Sequence, residues 1–164
     1  MAALTGRERV ERDAAARGLP IDIRERMRAN SLEEAAQILG ITPRDIVKTL
    51  VVKRSDGTFL FALVPGDRQI GWPKLRALVG VNKLQLPDAA TALEATGYER
   101  GTITPLGSTT AWPVYADTSM TGRRVSLGAG EHGLSLFVEA DELIAALDAT
   151  LADITEPVAQ RSAD

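Results

Sequence analysis

The chain has 164 residues, an apolar fraction of 45% and a formal net charge of −3. Length and apolar content predict one domain with a substantial core and short tails. There is no cysteine and a single histidine, His132, which excludes disulfides, thiolate metal sites and a cysteine nucleophile and leaves a Ser-His-Asp triad only one base.

No run of about 18 apolar residues occurs, so no transmembrane helix is predicted. Met1 to Arg12 becomes charged almost at once, which is unlike a secretory signal, and a cytoplasmic setting is expected. Phosphate contacts dominate affinity for nucleic acid, so an acidic chain predicts a small, local contact, such as one end of a strand. Arg24, Arg26 and Arg28, and then Arg123 and Arg124, are the basic groupings. Each is a solvated face or a local contact.

In chain order, residues 1–16 are rich in Arg, Glu and Ala and predict a frayed helix, broken at Gly18-Leu19-Pro20. Ile21 to Arg28 fits a strand or a short helix equally. Ser31 can cap a helix whose first turn holds Glu33 and Glu34 and which Gly40 ends. Thr42-Pro43 begins a short helical turn. It leads into Ile46 to Lys53, a β-branched, apolar strand about which the rest is arranged. Ser55-Asp56-Gly57 and a second apolar run, Thr58 to Val64, complete a β-hairpin. Alternation puts Ile46, Lys48, Leu50 and Val52 on one face and Val47, Thr49 and Val51 on the other, both largely buried. Lys48 is a cation in an apolar row. Its amine either reaches water at the strand's mouth, finds a partner or gives up its proton readily.

Further on, Val64 to Asp67 is a turn, and Trp72 to Val79 a helix stopped by Gly80. Lys83 to Leu86 is extended, and Pro87 to Thr96 is a helix ended by Gly97. Tyr98 to Gly107 is a loop too apolar for a simple linker. Trp112 to Asp117 is a strand, Ser119 to Arg123 a turn and Arg124 to Leu127 extended. Leu134 to Val138 is a last strand and Asp141 to Leu151 a last helix. The chain therefore divides into an N-terminal extension over 1–30, a main domain over 31–151 and a loose polar tail over 152–164.

Two glycine-rich loops accompany Lys48: Gly101 to Gly107, and Gly128 to Gly133. Glycine permits close backbone approach or positive φ. Neither loop matches a dinucleotide or phosphate motif in its strand-loop-helix context. The first reads equally as a connector stiffened by Pro105, the second as a long hairpin turn. His132, with an ordinary pKa near neutrality, is either an exposed loop residue or a group that polarises a carbonyl or orients water. Ser126 and Ser135 flank the second loop without a nucleophile pattern. No paired carboxylates are visible.

Val47-Lys48-Thr49-Leu50-Val51-Val52, Leu63 to Asp67, Thr96-Gly97-Tyr98, Gly101 to Gly107, Val114 to Asp117 and Gly128 to Gly133 occur in an order and spacing that resemble the YbaK family. These are aminoacyl-tRNA deacylases related to the editing insertion domain of bacterial prolyl-tRNA synthetases. The resemblance runs from about Ser31 to about Leu147. It implies an α+β fold, a mixed, mostly antiparallel β-barrel-like sheet surrounded by helices. It makes Lys48 the key functional residue, with Thr49 beside it in the substrate site. It assigns Gly101, Thr102, Ile103, Thr104 and Pro105 to the wall of an aminoacyl pocket, and Gly128, Ala129 and Gly130 to its closure, with His132 a candidate. Two features depart from the family. Ala129, Glu131 and His132 stand where many members carry a serine or glycine pair followed by a basic residue. Residues 1–30 also contain no tyrosine.

The implied activity is hydrolysis of a mischarged aminoacyl-tRNA bearing a small amino acid, with Cys or Ala on tRNA for proline among the candidates. The implied partners are the acceptor end and, as a candidate, a synthetase, with no metal or cofactor and no membrane. Such an ester is already activated, so positioning and charge stabilisation suffice without a nucleophile-base pair. The residues alone leave open a non-catalytic binding module, a small-molecule esterase and an interaction protein with a snorkelling Lys48.

Overall fold

A computed structural model describes residues 3–158. Helix α1 (Gly6–Ala16) starts at Thr5, whose hydroxyl accepts from the Glu8 N–H while the Glu8 carboxylate accepts from the Thr5 N–H. This capping box, and the burial of Val10 and Ala14, make α1 a packed element in place of the frayed helix its composition suggests. Strand β1 (Asp22–Glu25) resolves the ambiguous Ile21 to Arg28 segment. Helix α2 (Leu32–Leu39) is capped by Ser31 and ended by Gly40 at φ +71°, as its sequence predicts.

A single 3-10 turn over Pro43–Asp45 feeds β2 (Val47–Arg54), which forms the expected antiparallel hairpin with β3 (Phe59–Pro65). There follow β4 (Arg68–Ile70), α3 (Trp72–Val79), β5 (Leu84–Gln85), α4 (Ala89–Thr96), β6 (Val114–Asp117), β7 (Arg124–Gly128) and β8 (Leu134–Glu139). Helix α5 (Ala140–Ala146) is shorter than expected and gives way to β9 (Thr150–Ala152) and β10 (Thr155–Pro157).

The strands form sheets ordered β5-β2-β3-β6-β9, β1-β8-β7 and β10-β4. Five of the seven pairings are antiparallel, β3-β6 and β6-β9 being parallel. The fold is thus α+β with mixed, mostly antiparallel sheets. It does not close into a barrel, because β5 and β9 are opposite edges of the large sheet and do not pair with each other. Among the described residues no helix is long and apolar enough to cross a membrane.

Alternation along the hairpin feeds two cores. Val47, Val51, Phe61 and Leu63 join α1 and the β1-β8-β7 sheet in one. Val52, Leu60, Ala62 and Val64 pack with Leu75 of α3 and Ile154 in the other. Ile154 is fully buried, and Thr155 is buried beside it. The segment 152–157, read from its polarity as part of a loose tail, instead holds the end of β9, all of β10 and the buried Ile154 between them. Its one large apolar residue fills the second core, a contact no short-range pattern announces. The remainder of that tail, residues 159–164, lies outside the described residues.

Asp117, at the end of β6, is 1% exposed. Its carboxylate accepts 3.0 Å hydrogen bonds from the N–H groups of Ile154 and Ser119 and also from the Ser119 hydroxyl. Burial raises its pKa, but these hydrogen bonds and one from Thr155 outweigh it, and the net shift is downward. A depressed native pKa contributes stability that is complete above the unfolded value and lost as pH falls through the native one. Asp117→Ala is expected to cost about 2–4 kcal/mol, since it strands buried donors. Urea unfolding of the variant measures this, and the deficit should shrink in acid.

Candidate active site

The five-stranded and three-stranded sheets are joined by an isolated parallel bridge between Ile46 and Ser126. Beside it opens a cavity of about 400 Å³. One wall is β2, from Val47 to Val51; facing it are Ala35 and Leu39 of α2, the Leu86 to Ala92 segment, the Arg100 to Ile103 loop and the start of β8. Most of this lining is aliphatic or backbone, which suits a small organic group.

Lys48 sits half-buried in that wall, and its Nζ donates to the Arg68 carbonyl oxygen at 2.7 Å. The amine is therefore partnered, by a carbonyl and not by a carboxylate. Burial pushes its pKa down, partly offset by the charges of Asp67 and Glu33. A lysine ammonium has three donors, and among the described residues this one uses a single donor. The neighbouring Thr49 hydroxyl oxygen is buried and has no hydrogen-bond partner among the described residues.

The two glycine loops touch each other beside the cavity. Gly101 takes φ +91°, a region where a side chain is strained. Thr102 folds the loop back, with its N–H and its hydroxyl both donating to the Glu99 carbonyl oxygen. Gly128 has another reason to be glycine: a Cβ there would stand 2.7 Å from the Ile103 carbonyl oxygen. The Gly130 N–H donates to the Thr102 carbonyl oxygen at 3.0 Å, tying one loop to the other. Gly101 and Ile103 line the cavity, and among the described residues their N–H groups have no protein acceptor.

A family model described as an aminoacyl-tRNA editing domain matches residues 28–146. The chain belongs to this family. Prolyl-tRNA ligase of Thermosipho africanus is 42% identical over 78 residues, 48% of this editing domain's chain and 14% of the ligase. This chain spans about one-seventh of the length of such ligases. A protein of Enterococcus faecalis, whose name proposes a Cys-tRNA(Pro)/Cys-tRNA(Cys) deacylase, is 27% identical over 126 residues, covering 76% of this chain and 77% of that protein. Among solved structures, the hypothetical protein APE2540 superposes with a TM-score of 0.84 at 30% identity, covering 91% of this chain and all of that one. A structure described as a proposed trans-editing enzyme for prolyl-tRNA synthetase superposes with a TM-score of 0.84 at 28% identity, covering 94% and 99% of the two chains.

Of the residues singled out in this editing domain's sequence, Lys48, Thr49, Gly101, Ile103 and Gly128 come together on the cavity wall. Thr102 and Thr104 are buried and do not line it. Pro105 borders a separate surface hollow beside Arg9 and Asp13. Ala129 is fully buried in the first core. Gly130 packs against Gly6 at the start of α1. His132 does not line the cavity but lies on the exposed surface of the second loop, its Nε2 3.0 Å from the Glu99 carboxylate. Loops lie on the surface but are fixed from within, so one run of sequence supplies both wall and support.

Four polar cavity residues were not assigned a site role from the sequence: Arg26, Arg100, Ser126 and Ser135. The Arg26 Nε donates to the Ser135 hydroxyl at 2.7 Å. Ser126 is 1% exposed. A signal for both serines exists in Val125-Ser126-Leu127 and Leu134-Ser135-Leu136, where a small polar residue interrupts a buried apolar strand. Arg26 has no such signal, because only the pairing of β1 with β8 brings it to the cavity.

Proposed function

We propose that this domain is a trans-editing hydrolase that cleaves the ester of a mischarged aminoacyl-tRNA carrying a small amino acid, Cys or Ala on tRNA for proline being the first candidates. The observation that carries this is the juxtaposition, in an editing-family chain, of a half-buried lysine and of Gly101 and Ile103, whose backbone N–H groups have no protein acceptor among the described residues, around one small, largely aliphatic cavity. The name of the E. faecalis relative, which mentions Cys alone, supports Cys among these candidates. The setting is the cytoplasm, where aminoacyl-tRNA is made and used.

The ester is already activated, so the protein's task is to orient it and stabilise developing charge. The tRNA end is too large for the cavity, so the aminoacyl group enters first. Lys48 holds the terminal phosphate or ribose, or steadies the oxyanion. The Gly101 and Ile103 N–H groups take the carbonyl oxygen or orient the aminoacyl group. Water, or a group on the substrate itself, attacks the carbonyl carbon; the bond to the ribose oxygen breaks, that oxygen takes the attacking group's proton, and any acyl bond formed to a substrate group is then opened by water. Gly128 forms part of the wall, Thr102, Thr104, Ala129 and Gly130 shape it from behind, and Pro105 stiffens the loop. His132 acts at the mouth, where it orients the incoming acceptor end. The net charge of −3 suits a contact limited to that end, with a synthetase as candidate presenter.

The test is deacylation of Cys-, Ala- and Ser-tRNA(Pro) by the wild-type protein. Rapid release of at least one amino acid is expected; no release, with tRNA still bound, would replace the hydrolase with a binding module.

The pH dependence follows from Lys48. If the cation is the working form, activity relative to spontaneous hydrolysis falls as pH rises through a pKa below the ordinary lysine value of about 10.4. Between that lowered value and the ordinary one the unfolded chain holds more protons at this site, so Lys48's contribution to stability rises with pH. A rate profile of wild type, corrected for spontaneous ester loss, measures the first. Comparing the pH dependence of unfolding with that of Lys48→Met measures the second.

A further inference from the structure

Helix α1 lies outside the span matched by the family model, yet it touches both glycine loops. Arg9 projects from its middle. Its Nε and Nη2 donate to the Gly107 carbonyl oxygen, its Nη1 to that of Gly97 at 3.1 Å and its Nη2 to that of Thr96 at 3.0 Å. The guanidinium lies 4.4 Å from the centroid of the Tyr98 ring. Tyr98 is itself 1% exposed, and its hydroxyl donates to the Leu106 carbonyl oxygen at 2.7 Å. One turn on, the Asp13 carboxylate accepts from the Gly107 N–H at 2.8 Å. At the helix start the Arg7 N–H donates to the Glu131 carboxylate at 2.8 Å, and a Cβ on Gly6 would stand 2.0 Å from the Gly130 carbonyl oxygen.

We propose that α1 is a positioning element of the editing site and that Arg9 is its central positioning residue, pinning both ends of the loop from Gly97 to Gly107 and so fixing the cavity wall that excludes larger amino acids. Arg9 touches neither cavity nor substrate; it acts through the loop. Burying Val10 and Ala14 would suffice to dock the helix. The Arg9 contacts add something different: one rigid fork closes a loop at its two ends. A pocket that separates amino acids by a methylene or two gains only about 1–3 kcal/mol from each, and that margin vanishes if the wall yields. Lysine, with a compact charge and no fork, cannot bridge three carbonyls in the same way.

The selectivity part of this proposal rests on the deacylase reading; the loop-fixing part does not. The experiment uses the full chain as wild type, Arg9→Ala and Arg9→Lys, with folding checked by circular dichroism. In both variants amide exchange should quicken over 98–107, and release of the small amino acid relative to proline from tRNA(Pro) should fall by about tenfold or more, while tRNA affinity holds. Added guanidinium ion should partly restore Arg9→Ala, and Arg9→Lys should not behave as wild type. Unchanged loop exchange, or unchanged selectivity with a quickened loop, overturns the proposal. Should Arg9→Ala not fold, Asp13→Ala removes the acceptor of the Gly107 N–H together with the ion pair to Arg17, and Arg17→Ala controls for the ion pair; wild-type selectivity in Asp13→Ala and in Arg9→Lys would show that the hold of α1 on the loop does not set selectivity and overturn the proposal. A wild type inactive on every ester would refute the deacylase reading and with it the selectivity role, leaving loop exchange to decide whether Arg9 fixes the loop.

Discussion

Lys48→Ala is expected to lower the rate of ester release by roughly 10²–10³-fold, the usual cost of removing one preorganised donor from a site that stabilises developing charge. The fold should survive. The side chain is only half-buried, and its Nζ bond to the Arg68 carbonyl oxygen is one hydrogen bond at the margin of the second core. Losing it costs about 0.5–1.5 kcal/mol, partly returned because the buried charge is also removed. Activity and stability therefore separate at this position. Lys48→Arg keeps a cation but replaces a point charge with a planar fork, so only partial recovery is expected. Single-turnover deacylation of the preferred ester, with urea unfolding alongside, measures both. Equal release by wild type and Lys48→Ala would remove Lys48 from the mechanism, and weakened tRNA binding with an unchanged limiting rate would make it a phosphate contact only.

The second large effect is expected at Gly128. An alanine Cβ would lie 2.7 Å from the Ile103 carbonyl oxygen and 3.0 Å from that of Thr102. Both obstacles are backbone, so the strand end and the Gly101 loop must move apart. Displacing groups that orient a substrate by about 1 Å costs on the order of 10² in rate, and overpacking of this kind costs about 1–3 kcal/mol. Two controls isolate the cause. Gly57→Ala, at φ +84° with open space around it and in the turn between β2 and β3, carries backbone strain of about 1–2 kcal/mol but should leave activity intact. Gly101→Ala, at φ +91° with only the His132 ring nearby, carries the same strain on the cavity wall and should be intermediate. Activity in Gly128→Ala equal to that in Gly57→Ala would show that loop contact is not what the site needs.

The legible parts of this protein share one property: their signals are local. The hairpin of β2 and β3 follows from two apolar runs about an Asp-Gly turn, and the hydrophobic alternation assigns each face to its core. Ser31 caps α2, while Gly40, Gly80 and Gly97 end α2, α3 and α4 with φ between +71° and +81°. These are interactions across three or four residues, readable from neighbours. Within the candidate site, Lys48 stood out as a cation in an apolar row, and the glycine loops as backbone that must approach closely. Their identity as one site came from the resemblance, and their meeting around one cavity from the structure.

What sequence alone left undetermined depends on partners far along the chain. The helix around Arg9 reads as charged and frayed because its function is to hold carbonyls at Thr96, Gly97 and Gly107, which no helical periodicity records. Ile154 reads as part of a polar tail because the core it fills is built from β3 and α3. Arg26 reaches the cavity because β1 pairs with β8, more than a hundred residues away. The sequence by itself determined the hairpin, the caps and the odd lysine, since turn geometry, capping and alternation act over a few residues. Only the tertiary structure decided which loop residues face the cavity, which support it from behind and what holds the loops in place, because those are matters of pairing and close approach between segments whose order in the chain says nothing of their distance in space.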